Sequence, residues 1–332
     1  MRALTNEAFV PSAVPAPSAE ARAFHASLAG YRATPLRRLS FGGLDAVALK
    51  DESDRLGLPA FKVLGASWAI ERALRDWPAV HTLVAASAGN HGRAVAHVAR
   101  LRGLRCRVFL PARSVAARRK AIAGEGAEVI VVDGTYEDAV LAARRAGAEE
   151  GFLELADVGE SGAARWVIDG YATLFAELAE QGGADLVLVP VGVGSLAAAA
   201  ARWGASAGVP VIGVEPATAA CLTASLAAGR PTAVATPGST MAGLDCAEIS
   251  LAAWPFLRDG IRGTVTVDDG EAAAAVRELA DHGLAVGESG AAALAALHAL
   301  VDDPACGQLR DAVGLTRETR VVLIATEGQT GV

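Results

Sequence analysis

The sequence predicts an α/β protein with two open, twisted, mostly parallel sheets and helices flanking both. Three observations predict it. From about residue 80 onward, short β-branched runs alternate with longer stretches at helical spacing, the pattern of βαβ units. Most of those runs are almost continuously apolar, as strands covered on both faces must be. Three of them end in small or polar residues, at Ser87-Ala88-Gly89-Asn90, Val191-Gly192-Val193-Gly194-Ser195 and Thr326-Glu327-Gly328. Ligands of open α/β sheets bind at the carboxyl ends of strands, so three such junctions predict one cleft between two sheets.

In chain order, residues 1–30 are rich in Pro and Ala and read as an arm over the surface. Ala66–Arg75 reads as a helix. Strands are expected at His81–Ala86, Arg105–Leu110, Glu128–Val132, Gly151–Leu155, Asp185–Pro190, Val209–Val214 and Arg320–Ala325. Gly92–Arg102, Val115–Ala123, Tyr136–Glu149 and Ala163–Gln181 carry helical spacing between them. A length of 332 residues, at ~150 residues per domain, fits two domains sharing one chain.

Composition removes several function classes. The net charge is −7, and no basic run or basic–aromatic cluster points to nucleic acid. Cys106, Cys221, Cys246 and Cys306 are scattered without a C-x-x-C, which suits a reducing cytoplasm and buried thiols. The first residues lack a charged segment followed by an apolar core, so no signal peptide is expected. The longest apolar run, Leu186 to Ala201, is broken by Pro190, Gly192 and Gly194 and is shorter than the ~20 residues a membrane helix needs. A cytoplasmic protein is expected. Of 30 basic residues only Lys50, Lys62 and Lys120 are lysines, so a lysine nucleophile has three candidates.

Three segments could carry chemistry. In Val189-Pro190-Val191-Gly192-Val193-Gly194-Ser195-Leu196 a buried strand ends, two glycines follow and an Ala-rich helix starts. Glycines bring backbone N–H groups close to a ligand, and the helix start adds unpaired donors and partial positive charge, which makes a phosphate cradle. A tight βα turn with glycines for packing is the other reading. The G-x-x-x-x-G-K-[ST] lysine of a nucleotide P-loop is absent. In Phe61-Lys62-Val63-Leu64-Gly65-Ala66 a lysine sits among apolar neighbours just before a helix, where it would lose charge and become a usable amine nucleophile; a solvated surface lysine is the alternative. In Ser87-Ala88-Gly89-Asn90-His91-Gly92 a hydroxyl, an amide and free N–H groups at a helix start suit a carboxylate or phenolate oxygen, and a plain N-cap by Ser87 or Asn90 is the alternative. His91 reads as a structural histidine rather than a base.

Read together, these segments resemble the fold type II pyridoxal-phosphate enzymes, the tryptophan-synthase-β-like group that includes threonine and serine dehydratases and cysteine synthase. The order agrees: the lysine, then S-x-G-N-H about 25 residues later, then the glycine loop. Within the group the chain is most similar to the diaminopropionate ammonia-lyase family. The likeness covers most of the chain, through Tyr31-Arg32-Ala33-Thr34-Pro35-Leu36, Lys50-Asp51-Glu52-Ser53, Leu58 to Gly65, Gly89-Asn90-His91-Gly92-Arg93, Asp169-Gly170-Tyr171-Ala172-Thr173, Thr240-Met241-Ala242-Gly243-Leu244, Gly287-Glu288-Ser289-Gly290-Ala291 and Thr326-Glu327-Gly328. The Met-Ala-Gly-Leu and Thr-Glu-Gly pieces separate it from the dehydratases.

The resemblance implies pyridoxal 5′-phosphate as cofactor, held as a Schiff base by Lys62 next to Phe61. Asn90 would touch the phenolate oxygen, and Gly192, Val193, Gly194, Ser195 and Leu196 would hold the phosphate. Ser87, Ala88, Gly89, Asn90 and His91 would receive the substrate. It also implies a large cofactor-binding domain from residues 1–83 and 162–332, a small mobile domain at 84–161, a cofactor between them and a homodimer. Three positions bear on the family's pattern, and two of them depart from it. Ala88 stands where the family has the Asp that serves as base for the D-isomer. Asp157 matches the carboxylate assigned to the L-isomer, though a strand-end turn residue is an equal reading. Ala325 stands where Ser or Thr meets the pyridine nitrogen, which leaves Thr326 for that contact. No metal is expected: Glu215-Pro216 matches a cation-binding turn of some relatives, but the next ligand position is Cys221, and hard cations prefer oxygen. No regulatory domain is expected after residue 332.

The implied reaction is α,β-elimination from a β-substituted amino acid such as L-2,3-diaminopropionate, giving pyruvate and ammonia, with Lys62 as base and Asp157 as its rival or as acid for the leaving group. L-serine or L-threonine dehydration and β-replacement by an added nucleophile are the alternatives. A non-catalytic cofactor-binding protein is the reading from another class.

Overall fold

A computed structural model describes residues 1–87, 89–156 and 162–329. Its strands are β1 (Ala3–Thr5), β2 (Leu36–Phe41), β3 (Leu44–Asp51), β4 (Thr82–Ala85), β5 (Arg105–Pro111), β6 (Glu128–Val132), β7 (Phe152–Glu154), β8 (Leu186–Pro190), β9 (Val211–Pro216), β10 (Gly263–Val267) and β11 (Arg320–Ala325). Its helices are α1 (Glu20–Ala26), α2 (Lys62–Asp76), α3 (Asn90–Leu101), α4 (Ala116–Gly124), α5 (Tyr136–Gly147), α6 (Gly162–Glu180), α7 (Ser195–Ala207), α8 (Cys221–Ala228), α9 (Trp254–Gly260), α10 (Asp269–Asp281), α11 (Glu288–Asp302) and α12 (Gly307–Val313).

The chain divides into two compact units, Met1–Phe61 with Tyr171–Thr330, and Lys62–Gly170. The first holds a seven-stranded sheet in the order β1-β10-β9-β8-β11-β3-β2. Its central pairs are parallel, and β1 and β2 close the two edges in antiparallel register. All five residues of β8 are buried, as the continuous apolar run requires. Alternate residues face alternate layers: Leu186, Leu188, Ile212, Val214, Val321 and Leu323 join one core with the alanine-rich face of α11. Small side chains let that helix lie close over β8, β9, β10 and β11.

The second unit carries a wholly parallel four-stranded sheet in the order β6-β5-β4-β7. Helix α5 packs Ala139, Ala143 and Ala146 onto Val84 and Phe109. It starts at a reciprocal capping box, in which Thr135 accepts from the Asp138 N–H and Asp138 accepts from the Thr135 N–H, satisfying two donors the helix start leaves open.

All seven expected strands form, with ends shifted by a residue or two. Three results differ from expectation. Residues 1–30 are not only an arm, because Ala3–Thr5 pairs with Val265, Thr264 and Gly263 of β10 and Glu20–Ala26 is helical. Strands β2, β3 and β10 were not anticipated, since Arg37, Arg38, Thr264 and Thr266 interrupt the apolar pattern. The second unit extends beyond 84–161 at both ends. Helix α2 packs on α3, and Gly170 lies so close to α2 that an added Cβ would sit 2.6 Å from the Leu64 carbonyl oxygen. That unit therefore takes in all of α2 and α6 as far as Gly170, and the rest of α6, from Tyr171, belongs to the first unit. Among the described residues, no helix is long and apolar enough to cross a membrane.

Candidate active site

The three lysines separate by environment. Lys50 is fully buried, with its Nζ donating to Glu177 Oε2 at 2.7 Å, the Thr34 carbonyl at 2.8 Å and Gln181 Oε1 at 3.0 Å. Burial pulls its ammonium below the ordinary lysine range, while Glu177 and Glu52 push it back. Lys120 is exposed on α4. Lys62 is half-buried and is the first residue of α2, which starts four residues before the expected Ala66.

The chain that delivers Lys62 is zipped to the end of β11. The Phe61 N–H donates to the Thr326 carbonyl at 3.3 Å, the Gly328 N–H donates to the Pro59 carbonyl at 3.0 Å, and Ala60 pairs with Glu327. Ala325 is fully buried as the last residue of β11, and Thr326 follows it, also buried. Two further pieces converge there. The Gly243 N–H donates to Ser289 Oγ at 3.0 Å, and the Gly287 N–H donates to the Glu327 carbonyl at 3.2 Å. In the sequence Gly243 and Ser289 are only points of family likeness, and their separation of 46 residues carries no sign that they meet.

The glycine loop follows β8. The Val191 N–H donates to the Val214 carbonyl at 2.8 Å, and Gly194, at φ 91°, is the N-cap of α7 without a side-chain cap. The first N–H groups of a helix have no acceptor within it, and the dipole adds positive potential there. An added Cβ on Gly192 would lie 2.7 Å from the Gly243 carbonyl oxygen and 3.1 Å from Cys246 Sγ, and one on Gly194 would lie 2.6 Å from Leu257 Cδ1. Both positions therefore need glycine for the backbone to turn. A helix start opened by a glycine loop, with Ser195 as its first residue and Leu196 its second, fits a phosphate monoester by the chemistry of its donors.

In the second unit the Ser87 loop leads into α3. The Gly89 N–H donates to Ser87 Oγ at 3.3 Å. The N-cap is Gly89, with no side-chain cap, so neither Ser87 nor Asn90 serves as a plain cap; Asn90 is the first helical residue. His91 is buried, and its Nε2 meets the Leu155 carbonyl at 2.9 Å, the structural role expected of it. Gly92 is needed because an added Cβ would lie 2.1 Å from the Ser87 carbonyl oxygen. Ala88 and Asp157 lie outside the described residues.

The first unit also holds a buried ion cluster of Lys50, Glu52, Arg55 and Glu177. Arg55 donates from Nη1 to Glu177 Oε1 at 2.6 Å and from Nη2 to Glu52 Oε1 at 2.7 Å, with all three side chains at 0% exposure. Arg55 and Lys50 hold the Glu177 carboxyl down at about 2 against the effect of burial. Among the described residues, no group of three or more His, Cys, Asp or Glu could hold a metal.

Comparison with known proteins agrees with this geometry. The family model described as pyridoxal-phosphate dependent enzyme matches residues 28–327. Diaminopropionate ammonia-lyase of Salmonella typhimurium is 34% identical, over 94% of this chain and 89% of its own. A biosynthetic L-threonine dehydratase of Escherichia coli is 31% identical over 80% of this chain but only 52% of its own. Among solved structures, Escherichia coli diaminopropionate ammonia-lyase in complex with D-serine superposes with a TM-score of 0.89 at 31% identity, covering 99% of this chain and 94% of that one. Maize serine racemase superposes with a TM-score of 0.82 at 26% identity, covering 94% and 93%. With a family match over residues 28–327 and a relative 34% identical over 94% of this chain, the chain belongs to the pyridoxal-phosphate-dependent enzymes.

Proposed function

We propose that this enzyme is an ammonia-lyase that eliminates ammonia from 2,3-diaminopropionate, with hydrolysis of the unsaturated product by one water giving pyruvate and a second ammonia. The observation that carries the reading is the 34% identity to a diaminopropionate ammonia-lyase over 94% of this chain and 89% of the relative. The threonine dehydratase likeness, by contrast, stops at about half of that enzyme.

In this reading Lys62 holds the cofactor covalently, with Phe61 beside it. The backbone N–H groups of Gly192, Val193, Gly194, Ser195 and Leu196 bind its phosphate, Asn90 meets its phenolate oxygen and Thr326 its pyridine nitrogen. When bound, the cofactor supplies an electron sink for the carbanion at Cα. Ser87, Ala88, Gly89, Asn90 and the N-terminal turn of α3 at His91 receive the substrate carboxylate. The Lys62 amine would take the Cα proton of the L-isomer. Asp157 shares that role or protonates the leaving amine. The domain at 84–161 moves to exclude water. A homodimer in the cytoplasm is part of the same proposal.

The test is release of pyruvate and ammonia by the cofactor-loaded enzyme from L-2,3-diaminopropionate, with the D-isomer, L-serine and L-threonine in parallel. Turnover of the L-isomer ahead of the D-isomer is expected, because Ala88 stands where the family has the D-specific Asp. Turnover of serine or threonine alone would overturn the named substrate.

A further inference from the structure

Glu215 is a buried carboxylate that the proposed reaction does not use. It stands at the carboxyl end of β9 with no exposure, and both of its oxygens are engaged. Oε1 accepts from the Leu222 N–H at 2.6 Å. Oε2 accepts from the Thr223 N–H at 2.8 Å and the Thr223 hydroxyl at 2.7 Å. These donors form the first turn of α8, whose own N-cap, Ala220, offers no side-chain acceptor. A carboxylate on the preceding strand thus caps the helix from outside it.

Helix α8 opens with Cys221, and its thiol donates to the carbonyl oxygen of Gly192 at 3.7 Å. Burial pushes the Cys221 thiol well above its ordinary range, so it remains a protonated donor. The loop's entry is tied to the same strand, because the Val191 N–H bonds to Val214, the residue before Glu215. A trans peptide is planar, with its C=O and N–H pointing in opposite directions. Holding the Gly192 carbonyl on one side therefore sets the direction of the Val193 N–H on the other.

We propose that Glu215 is a positioning residue for the cofactor phosphate: by capping α8 it holds the Cys221 thiol on the Gly192 carbonyl and so aims the Val193 N–H at the phosphate. The proposal rests on reading residues 192–196 as the phosphate cradle. It also gives Glu215 a role other than the cation ligand its Glu-Pro context suggests. Glu215→Gln would turn an NH2 group toward donors that need an acceptor, Cys221→Ala would remove the thiol, and Cys221→Ser would keep a donor.

The experiment compares pyridoxal 5′-phosphate with pyridoxal, which lacks the phosphate, in reconstituting enzyme stripped of cofactor. Dissociation constants are read from the visible absorbance, and Tm is recorded for each variant. Glu215→Gln and Cys221→Ala are expected to weaken pyridoxal 5′-phosphate by about tenfold, the loss of one modest hydrogen bond, with pyridoxal unchanged and Cys221→Ser close to the parent. Equal weakening toward both ligands, or toward neither, overturns the proposal and leaves the cradle standing. A parent enzyme that binds both ligands equally well overturns the cradle itself, and the positioning role with it. Should Glu215→Gln fail to fold, the Cys221 pair decides alone: an unchanged preference for the phosphorylated ligand in Cys221→Ala sinks the proposal.

Discussion

At the scale of single residues, this protein concentrates its constraints in a few places where backbone or side chain has no latitude. Gly194 combines a left-handed φ of 91° with a Cβ position 2.6 Å from Leu257 Cδ1. Gly194→Ala is therefore expected to cost about 1–3 kcal/mol through backbone strain and overpacking, read as a lower Tm together with weaker cofactor retention. Lys62→Ala should remove both turnover and the visible band of bound cofactor; a variant that kept the band would sink the assignment of Lys62. Lys62 and the glycine loop could be put forward from the sequence because each is a local string whose chemistry follows from its neighbours. The meeting of Gly243 with Ser289, 46 residues apart, could not, since no local pattern says which two turns converge. For Glu215-Pro216 the sequence expectation was no metal, because Cys221 follows; that Glu215 accepts from the first turn of α8 depends on where that helix packs and has no local sign in the chain.

At the scale of elements, β3, the segment after it and α6 are joined by the cluster of Lys50, Glu52, Arg55 and Glu177. Both members of the Arg55–Glu177 pair are at 0% exposure, so removing one partner strands a buried charge. Glu177→Gln or Arg55→Leu is expected to cost about 3–5 kcal/mol, measured by urea unfolding at neutral pH. The pH dependence has a definite sign. Glu177 is held at about 2 against an ordinary value of 4.5, so its contribution is complete above 4.5 and is lost as the pH falls toward 2. Unfolding curves taken between pH 6 and pH 3 should steepen in their acid dependence for the parent and flatten for Glu177→Gln. On helix α5, Thr135→Ala breaks the capping box and should cost about 1 kcal/mol, a change that leaves the ion cluster untouched. The helix cap could have been read from Thr135 and Asp138 alone, but the ion cluster could not: Arg55 and Glu177 are 122 residues apart and their meeting depends on how α6 packs.

At the scale of the whole molecule, the seven-stranded sheet ends on one side in the short strand β1, which covers the outer edge of β10. Arg2 secures that strand through Glu271 and Asp303. Removing residues 1–5 would leave β10 with unpaired backbone groups, an invitation to strand addition by another chain. The shortened protein is expected to self-associate, and light scattering at increasing concentration would show it; monodispersity equal to the parent's would mean that β10 is protected by other means. The same edge explains why the first thirty residues read poorly: a three-residue strand has too little periodicity to announce itself, and its stability comes from a partner more than 250 residues away.

What the sequence by itself determined was the class of fold and seven of the strands, because hydrophobic period and turn chemistry act over a few residues at a time. What only the tertiary structure decided was the strand order, the two edge strands, the reach of the second unit into α2 and α6, and the partners of Glu215, Glu177 and Ser289. Those depend on which distant segments share a core, and burial free energy selects that arrangement without leaving a local mark in the chain.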